Sequence, residues 1–288
     1  MKKATTILLA FLLCCAMLLP GTAEDAFTEE DLDIEDILDI KEVLAEEDPL
    51  WNFPVALKDM NPEYVRLVNN HYMLDPDYVP DDLVLVPSDP RKGGIWHQDA
   101  GQDLDGKLKG HHLRKDAAEA LCEMNQAMRA MKETDHFQNM YLKSAFRSYG
   151  KQESIRSRRK NPDDGWVAKP GASDHQTGLG CDVVPYNWKD RGMNEKMMKE
   201  KECQWMAEHC QEYGFIIRYP ADKKEITEIN TEPWHLRYVG IPAATYIMEN
   251  GLCLEEFNDQ LQEAIQDYLA RGGDPAKVEA FIQVSTDE

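Results

Sequence analysis

Two short segments of the chain carry histidines and carboxylates that are suited to a hydrolytic metal centre. Residues 173–182 read SDHQTGLGCD, and residues 231–240 read TEPWHLRYVG. A catalytic zinc ion takes about three protein nitrogen or oxygen ligands and keeps an open position for water. His175, Asp182 and His235 supply such a set, and Glu232 is then left to act as the general base. These residue types predict most of the machinery of a zinc hydrolase.

The first segment predicts a loop that enters a strand. Gly178 and Gly180 lie between His175 and Asp182, and two valines follow the aspartate. Glycine allows backbone conformations that are closed to other residues, so the loop can fold its histidine back toward the strand. Taken alone, the pattern is equally consistent with buried polar residues that bind no metal.

The second segment places Glu232 three residues before His235. In a turn or on a helix, both side chains would project into one cleft, where one binds the metal and the other holds the water. Trp234 and Tyr238 flank the histidine and are expected to form a wall of the cleft. This pattern too is weak when it is taken alone.

Several segments in a fixed order give the chain a wider resemblance. They are LVNNHYMLDPDYVPDDLV at 67–84, SAFRSYGKQ at 144–152, the two segments above, and YGFIIRYP at 213–220. With these motifs, residues 67–257 resemble the VanY-type D-alanyl-D-alanine carboxypeptidases, zinc peptidases whose group includes L,D-carboxypeptidases. The resemblance implies an α+β fold of the hedgehog/DD-peptidase type, a single catalytic domain with a small, mostly antiparallel sheet flanked by helices.

The resemblance implies the same zinc ligands and the same base that the residue chemistry indicates. It adds Arg147, Gln152 and Ser173 to the site as a substrate clamp. A guanidinium is well shaped to bind the free carboxylate at the end of an exopeptidase substrate. Arg147 could instead polarise the scissile carbonyl and stabilise the oxyanion. Without the family resemblance, Arg147 is a surface arginine near a helix start.

The function that the resemblance implies is removal of the terminal D-alanine from peptidoglycan stem peptides by a zinc D,D-carboxypeptidase. L,D-carboxypeptidase action on tetrapeptide stems is the nearest alternative, because the same site serves both and pocket shape decides between them. A zinc-stabilised module that binds cell wall without cutting it is an alternative of another class. A cysteine hydrolase that uses Cys181 as its nucleophile is a third.

Cys181 is a departure from the family beside a metal ligand, and a thiolate there could compete for zinc or act as a nucleophile. Neighbours on a strand face opposite sides, so Cys181 is expected to face away from Asp182 as a small buried residue. Of the seven cysteines, five follow the N-terminal leader. They are expected to be mostly free, buried thiols. The other six histidines have no recognisable metal spacing and are expected to be structural or exposed.

The N-terminus predicts secretion. Lys2 and Lys3 precede an apolar run, and small residues near Ala23 suit cleavage before Glu24, so residues 1–23 are expected to be a signal peptide. The protein is then extracytoplasmic, at the cell wall, or is anchored in the membrane if the segment stays uncleaved.

The charge of the chain excludes nucleic acid as a partner. The formal net charge is −21, and residues 24–48 hold thirteen acidic residues against one lysine. A nucleic-acid binder needs a basic face. Residues 24–50 are expected to be a solvated linker or, because apolar residues interleave with the acids, an amphipathic helix that docks on the domain or a partner.

The remaining sequence is interpreted as a zinc carboxypeptidase domain at 51–257 and a helical extension at 258–288, broken near Gly272. Helical periodicity predicts helices at 113–133 and 195–213, the second ended by Gly214. Strands are expected at 141–146 and 215–219.

Overall fold

A four-stranded antiparallel sheet at the centre of the molecule carries the candidate site. The computed structural model describes residues 48–97, 109–131 and 139–286. The strands are β1 (Leu83–Leu85), β2 (His112–Arg114), β3 (Met140–Ser144), β4 (Gly180–Pro185), β5 (Phe215–Tyr219) and β6 (Glu232–Tyr238). The four-stranded sheet has the order β3-β4-β6-β5, and β1 and β2 form a separate antiparallel pair. The predicted α+β class with a small antiparallel sheet is confirmed.

Helices flank this sheet. They are α1 (Pro62–Val65), α2 (Lys115–Ala130), α3 (Tyr149–Ser157), α4 (Lys201–His209), α5 (Lys224–Thr227), α6 (Ile241–Glu249) and α7 (Leu254–Ala270). The apolar stripe predicted for the first long helix is buried on α2, at Ala117, Leu121, Met124 and Met128. Leu113, however, lies on β2 opposite Val84, because the chain is still extended there. The helix therefore begins two residues later than its periodicity suggests.

The helix predicted at 195–213 is interrupted. The structure has a 3-10 helix at Glu195–Lys199, then α4, then a second 3-10 helix at Cys210–Tyr213. The backbone is extended at Glu200, whose side chain accepts a hydrogen bond of 3.0 Å from the indole N–H of Trp188. Gly214 ends the segment with φ +78°, as predicted.

The C-terminal helix α7 belongs to the same compact unit as the sheet, which spans Phe53–Glu288. Leu261, Ile265 and Tyr268 of this helix are buried, and Gly272 ends the turn after it with φ +90°. No break in the structure marks position 257. The division into a domain and an extension there stays a prediction.

The predicted signal peptide, and all but the last three residues of the acidic segment 24–50, lie outside the described residues. Within the described ranges, no helix has the length and apolar character needed to cross a membrane.

Candidate active site

Asp182 and His235 are direct neighbours on the two central strands. The register of β4 and β6 pairs them, so their side chains project from the same face of the sheet. Oδ1 of Asp182 lies 3.2 Å from Nδ1 of His235. The sheet therefore fixes two of the three predicted metal ligands against each other.

The third predicted ligand, His175, lies in the 3-10 turn Asp174–Thr177, just before β4. Gly178 closes this turn at φ +69°, and its N–H donates to the carbonyl of His175. Nδ1 of His175 donates to the Ala145 carbonyl at 2.7 Å, which leaves Nε2 directed at Oδ2 of Asp182, 3.4 Å away. The predicted loop that enters a strand is confirmed.

The three side chains fit a zinc ion. One ligand atom from each lies within 4.8 Å of the others, and all three residues are buried. Nε2 of His175 has no hydrogen-bond partner among the described residues, although it is buried. Two imidazoles and one carboxylate form a donor set that catalytic zinc accepts. The unpartnered Nε2 of His175 faces the Asp182 carboxylate within this group, which fits a metal ligand.

The electrostatics of the triad distinguish its two histidines. Burial, helped by the positive charge of Arg147, lowers the pKa of His175 to about 4. Burial also opposes a charge on His235, but hydrogen bonds with Asp182 and Glu232 raise its pKa to about 9. Despite its burial, the two histidines hold the pKa of Asp182 well below its ordinary value. In the metal-free protein, these pKa values favour a neutral imidazole at His175 and a positively charged imidazolium at His235 near neutral pH.

Glu232 lies on a strand, and the prediction of a turn or helix for this segment is wrong. On a regular strand, residues three apart face opposite sides. Leu236 pairs with Ile217 and Glu232 pairs with Tyr219, so four steps along β6 oppose two along β5. Such an irregularity in the pairing changes the direction in which the side chains of the strand point. It brings Oε2 of Glu232 to 3.5 Å from Nδ1 of His235.

The three residues of the predicted clamp also reach the cleft. Arg147 follows β3, and its backbone N–H donates to the His175 carbonyl at 3.1 Å. Gln152 is buried on α3, where its amide donates to the Ala168 carbonyl at 2.8 Å. Ser173 immediately precedes the turn of the first histidine. All three line the cleft together with the triad and Glu232, while their roles in catalysis and substrate binding remain predictions.

The cleft has a volume of about 460 Å³ and an aromatic wall. The indoles of Trp166 and Trp234 are stacked, with their ring centroids 6.4 Å apart and an angle of 14° between their planes. The ring of Tyr219 lies 5.0 Å from that of His235. Tyr238 was expected in this wall but packs elsewhere, against Phe215 and Tyr64.

Comparison with known proteins decides the family. A family model described as VanY, D-alanyl-D-alanine carboxypeptidase, matches residues 110–241. The Bacillus subtilis (strain 168) protein named "Putative carboxypeptidase YodJ" is 36% identical over 213 residues, which is 70% of this chain and 70% of that protein. The chain belongs to the VanY family of D-alanyl-D-alanine carboxypeptidases.

Two solved structures of similar fold agree with the VanY assignment. The LD-carboxypeptidase LdcB is 34% identical with a TM-score of 0.57, covering 69% of this chain and 87% of that one. A mutant of the vancomycin resistance D,D-pentapeptidase VanY, in complex with Zn(II), is 28% identical with a TM-score of 0.51, and the match covers 68% of this chain and 98% of that one. The predicted DD-peptidase-like fold is confirmed.

In this VanY-family chain, Cys181 faces away from the metal ligands. It is fully buried in the apolar core behind β4, on the face opposite to Asp182. Burial raises the pKa of its thiol well above the ordinary value. The five cysteines at positions 122, 181, 203, 210 and 253 are all free and buried, as predicted.

Sequence reasoning missed three residues of the VanY-type site. Trp166 and Tyr219 line the cleft, and Asp174 lies behind it, fully buried. Tyr219 stands in the YGFIIRYP motif, and Asp174 directly precedes a predicted ligand, so both had a signal. Nothing in the sequence around Trp166 indicates that it reaches the stack on Trp234.

Proposed function

We propose that this chain is a secreted zinc D,D-carboxypeptidase that releases the terminal D-alanine of peptidoglycan stem peptides. The observation that carries the proposal is the buried triad of His175, Asp182 and His235 with Glu232 beside it in the same cleft. A pure binding module has no need of the glutamate. The family supports the substrate class.

The residues of the cleft have separate tasks in this proposal. Zinc bound by the triad would supply Lewis acidity toward the peptide carbonyl and the attacking water. Glu232 takes a proton from that water and passes it to the leaving amine. Burial raises the pKa of Glu232 from its ordinary value, although the neighbouring His235 opposes the rise. A base whose pKa moves toward neutrality is better matched to this proton transfer.

The clamp gives the reaction its exopeptidase character. Arg147 offers a planar, permanently charged group to the terminal carboxylate. Arg147 lines the cleft beside the triad and Glu232, and after burial its positive charge is the main influence that lowers the pKa of His175. Gln152 and Ser173 line the same cleft and would fix the orientation of the terminal residue.

Secretion is part of the proposal because peptidoglycan lies outside the cytoplasm. The support is the basic start and apolar run of residues 1–23. N-terminal sequencing of the protein from a secreting host tests it, with Glu24 expected as the first residue. Recovery of the chain with its first 23 residues intact in the membrane fraction would favour an anchor.

L,D-carboxypeptidase action on tetrapeptide stems is the second candidate. The likeness to LdcB supports it, because the TM-score and the identity to that protein are both slightly higher than those to the D,D-pentapeptidase VanY. The same ligands, base and clamp would serve. The two activities differ in the residue that precedes the scissile bond.

Mass spectrometry of stem peptides tests the whole proposal. Zinc-loaded protein is incubated with pentapeptide and tetrapeptide stems, with and without chelator. Loss of one D-alanine from the pentapeptide alone is expected, and chelator should abolish it. Cleavage of the tetrapeptide alone would favour the L,D activity. Peptide binding without a product would indicate a binding module. Activity that survives chelator and is lost in Cys181→Ala would indicate a thiol enzyme.

A further inference from the structure

Four charged residues form a buried cluster behind the metal triad, on the side away from the cleft. Asp174, Arg218 and Arg237 have no solvent exposure, and Glu255 is 6% exposed. Two carboxylates and two guanidiniums balance in charge, which makes their burial tolerable. None of the four is among the described residues that line the cleft, so a substrate role does not explain them.

Asp174 is the member of the cluster that both arginines hold. Its Oδ2 accepts a hydrogen bond of 2.7 Å from Nε of Arg218, and its Oδ1 accepts one from Nη1 of Arg237. Arg218 turns its other two nitrogens to the carboxylate of Glu255, at 2.8 and 2.6 Å. A carboxylate bound by two buried guanidiniums has little freedom to move.

The arginines are themselves anchored to distant parts of the chain. Nη2 of Arg237 donates to the carbonyls of Tyr64 and Arg66, at 3.0 and 2.7 Å. Glu255 lies on α7, and Arg218 and Arg237 lie on β5 and β6. The Asp174 carboxylate is thus held directly by arginines on β5 and β6. Through these arginines it is linked to the C-terminal helix α7 and to the N-terminal segment at Tyr64 and Arg66.

That carboxylate lies beside both predicted histidine ligands. Asp174 directly precedes His175 in the same 3-10 turn. Its Oδ2 lies 4.0 Å from Nε2 of His235. Since Nδ1 of His235 faces Asp182 and Glu232, Nε2 is the ring nitrogen directed away from the metal position. Among the described residues, this buried Nε2 has no hydrogen-bond partner of ordinary length.

Histidines that bind metals usually direct their second ring nitrogen to a carboxylate or a carbonyl. The Ala145 carbonyl does this for His175. We propose that Asp174, held by Arg218 and Arg237, is the corresponding positioning residue for His235 and also fixes the turn that presents His175. This inference rests on the zinc site of the proposed function and adds the device that orients its ligands.

Two charge-matched variants test the proposal. Asp174→Asn and Glu255→Gln each remove one negative charge from the same buried cluster, but Glu255 contacts Arg218 and Asn69 and neither histidine. Zinc affinity is measured by competition with a chromophoric chelator, and unfolding is measured on the metal-free proteins. Both variants should melt at lower temperature. Only Asp174→Asn should bind zinc about 10- to 100-fold more weakly than the wild type.

Equal losses of zinc affinity in the two variants would overturn the proposal, as would wild-type affinity in a folded Asp174→Asn protein. If Asp174→Asn does not fold, the nitrogen spectrum of the wild-type imidazoles decides. A protected proton on Nε2 of His235 is expected in the zinc-loaded protein, and a proton on Nδ1 contradicts the inference. Wild-type protein that binds no zinc would defeat the proposed function itself. Normal zinc binding with unchanged variants would defeat this inference alone.

Discussion

Glu232 and His235 project from the same face of β6, although residues three positions apart on a regular strand face opposite sides. Their carboxylate and imidazole are 3.5 Å apart, and both are nearly removed from water. A buried acid at this distance from a metal ligand can serve as a ligand or as a base. Those two roles make different predictions for an isosteric amide at position 232.

Glu232→Gln should lower turnover by about 10²- to 10⁴-fold while the protein keeps its zinc, because the amide cannot accept the proton of the water. Steady-state kinetics and metal analysis of the purified variant check this. Glu249→Gln, exposed at the end of α6, is the matched control and should keep wild-type turnover. Loss of zinc in Glu232→Gln would place the glutamate among the ligands.

Zinc affinity should rise as pH rises through the neutral range. The pKa of His235 is about 9 in the metal-free protein, so below that pH zinc must displace one proton from this imidazole. The affinity should therefore increase by about tenfold per pH unit below pH 9. His175, with a pKa of about 4, is already neutral there and adds nothing to the slope. Calorimetry in buffers of different ionisation enthalpy measures the released proton, and a value of zero would contradict the assignment.

Among the elements, the site was predictable where ligand and backbone signals coincide. Gly178 and the valines after Asp182 indicate the turn and the strand correctly, because glycine and apolar residues act locally. That Glu232 and His235 project into one cleft was predicted, but from a turn or a helix; the strand irregularity that brings them together was not predictable, since it depends on how β6 pairs with β5. The bonds of Asp174 with Arg218 and Arg237 join residues far apart in sequence. No local pattern encodes them.

The C-terminal helix α7 should contribute to global stability, because Ile265 is fully buried on it. Ile265→Ala is expected to cost about 2–5 kcal/mol in the free energy of unfolding. Gln266→Ala, exposed on the same helix, should change that free energy by no more than about 0.5 kcal/mol. Urea denaturation compares the two variants. Similar, small effects of both would show that α7 is a dispensable extension of the catalytic domain.

For the molecule as a whole, stability should not depend on disulfides. Five thiols are free and buried in the structure. A chain that buries a large core needs no covalent cross-links. The mature protein should react with a thiol reagent at five sites only after denaturation, and reductant should leave its melting temperature unchanged. A measured protein mass below that of the fully reduced chain, by the two hydrogen atoms lost when a disulfide forms, would contradict this.

The stacked indoles of Trp166 and Trp234 turn the cleft into an optical probe. They are the two tryptophans among the described lining residues of the cleft, while the chain has six in all. A peptide that binds against this pair changes the polarity around both indole rings and therefore their fluorescence emission. Occupancy can then be followed by fluorescence in the Glu232→Gln variant, where the peptide stays uncut. Affinity for pentapeptide and tetrapeptide stems thereby becomes measurable apart from chemistry.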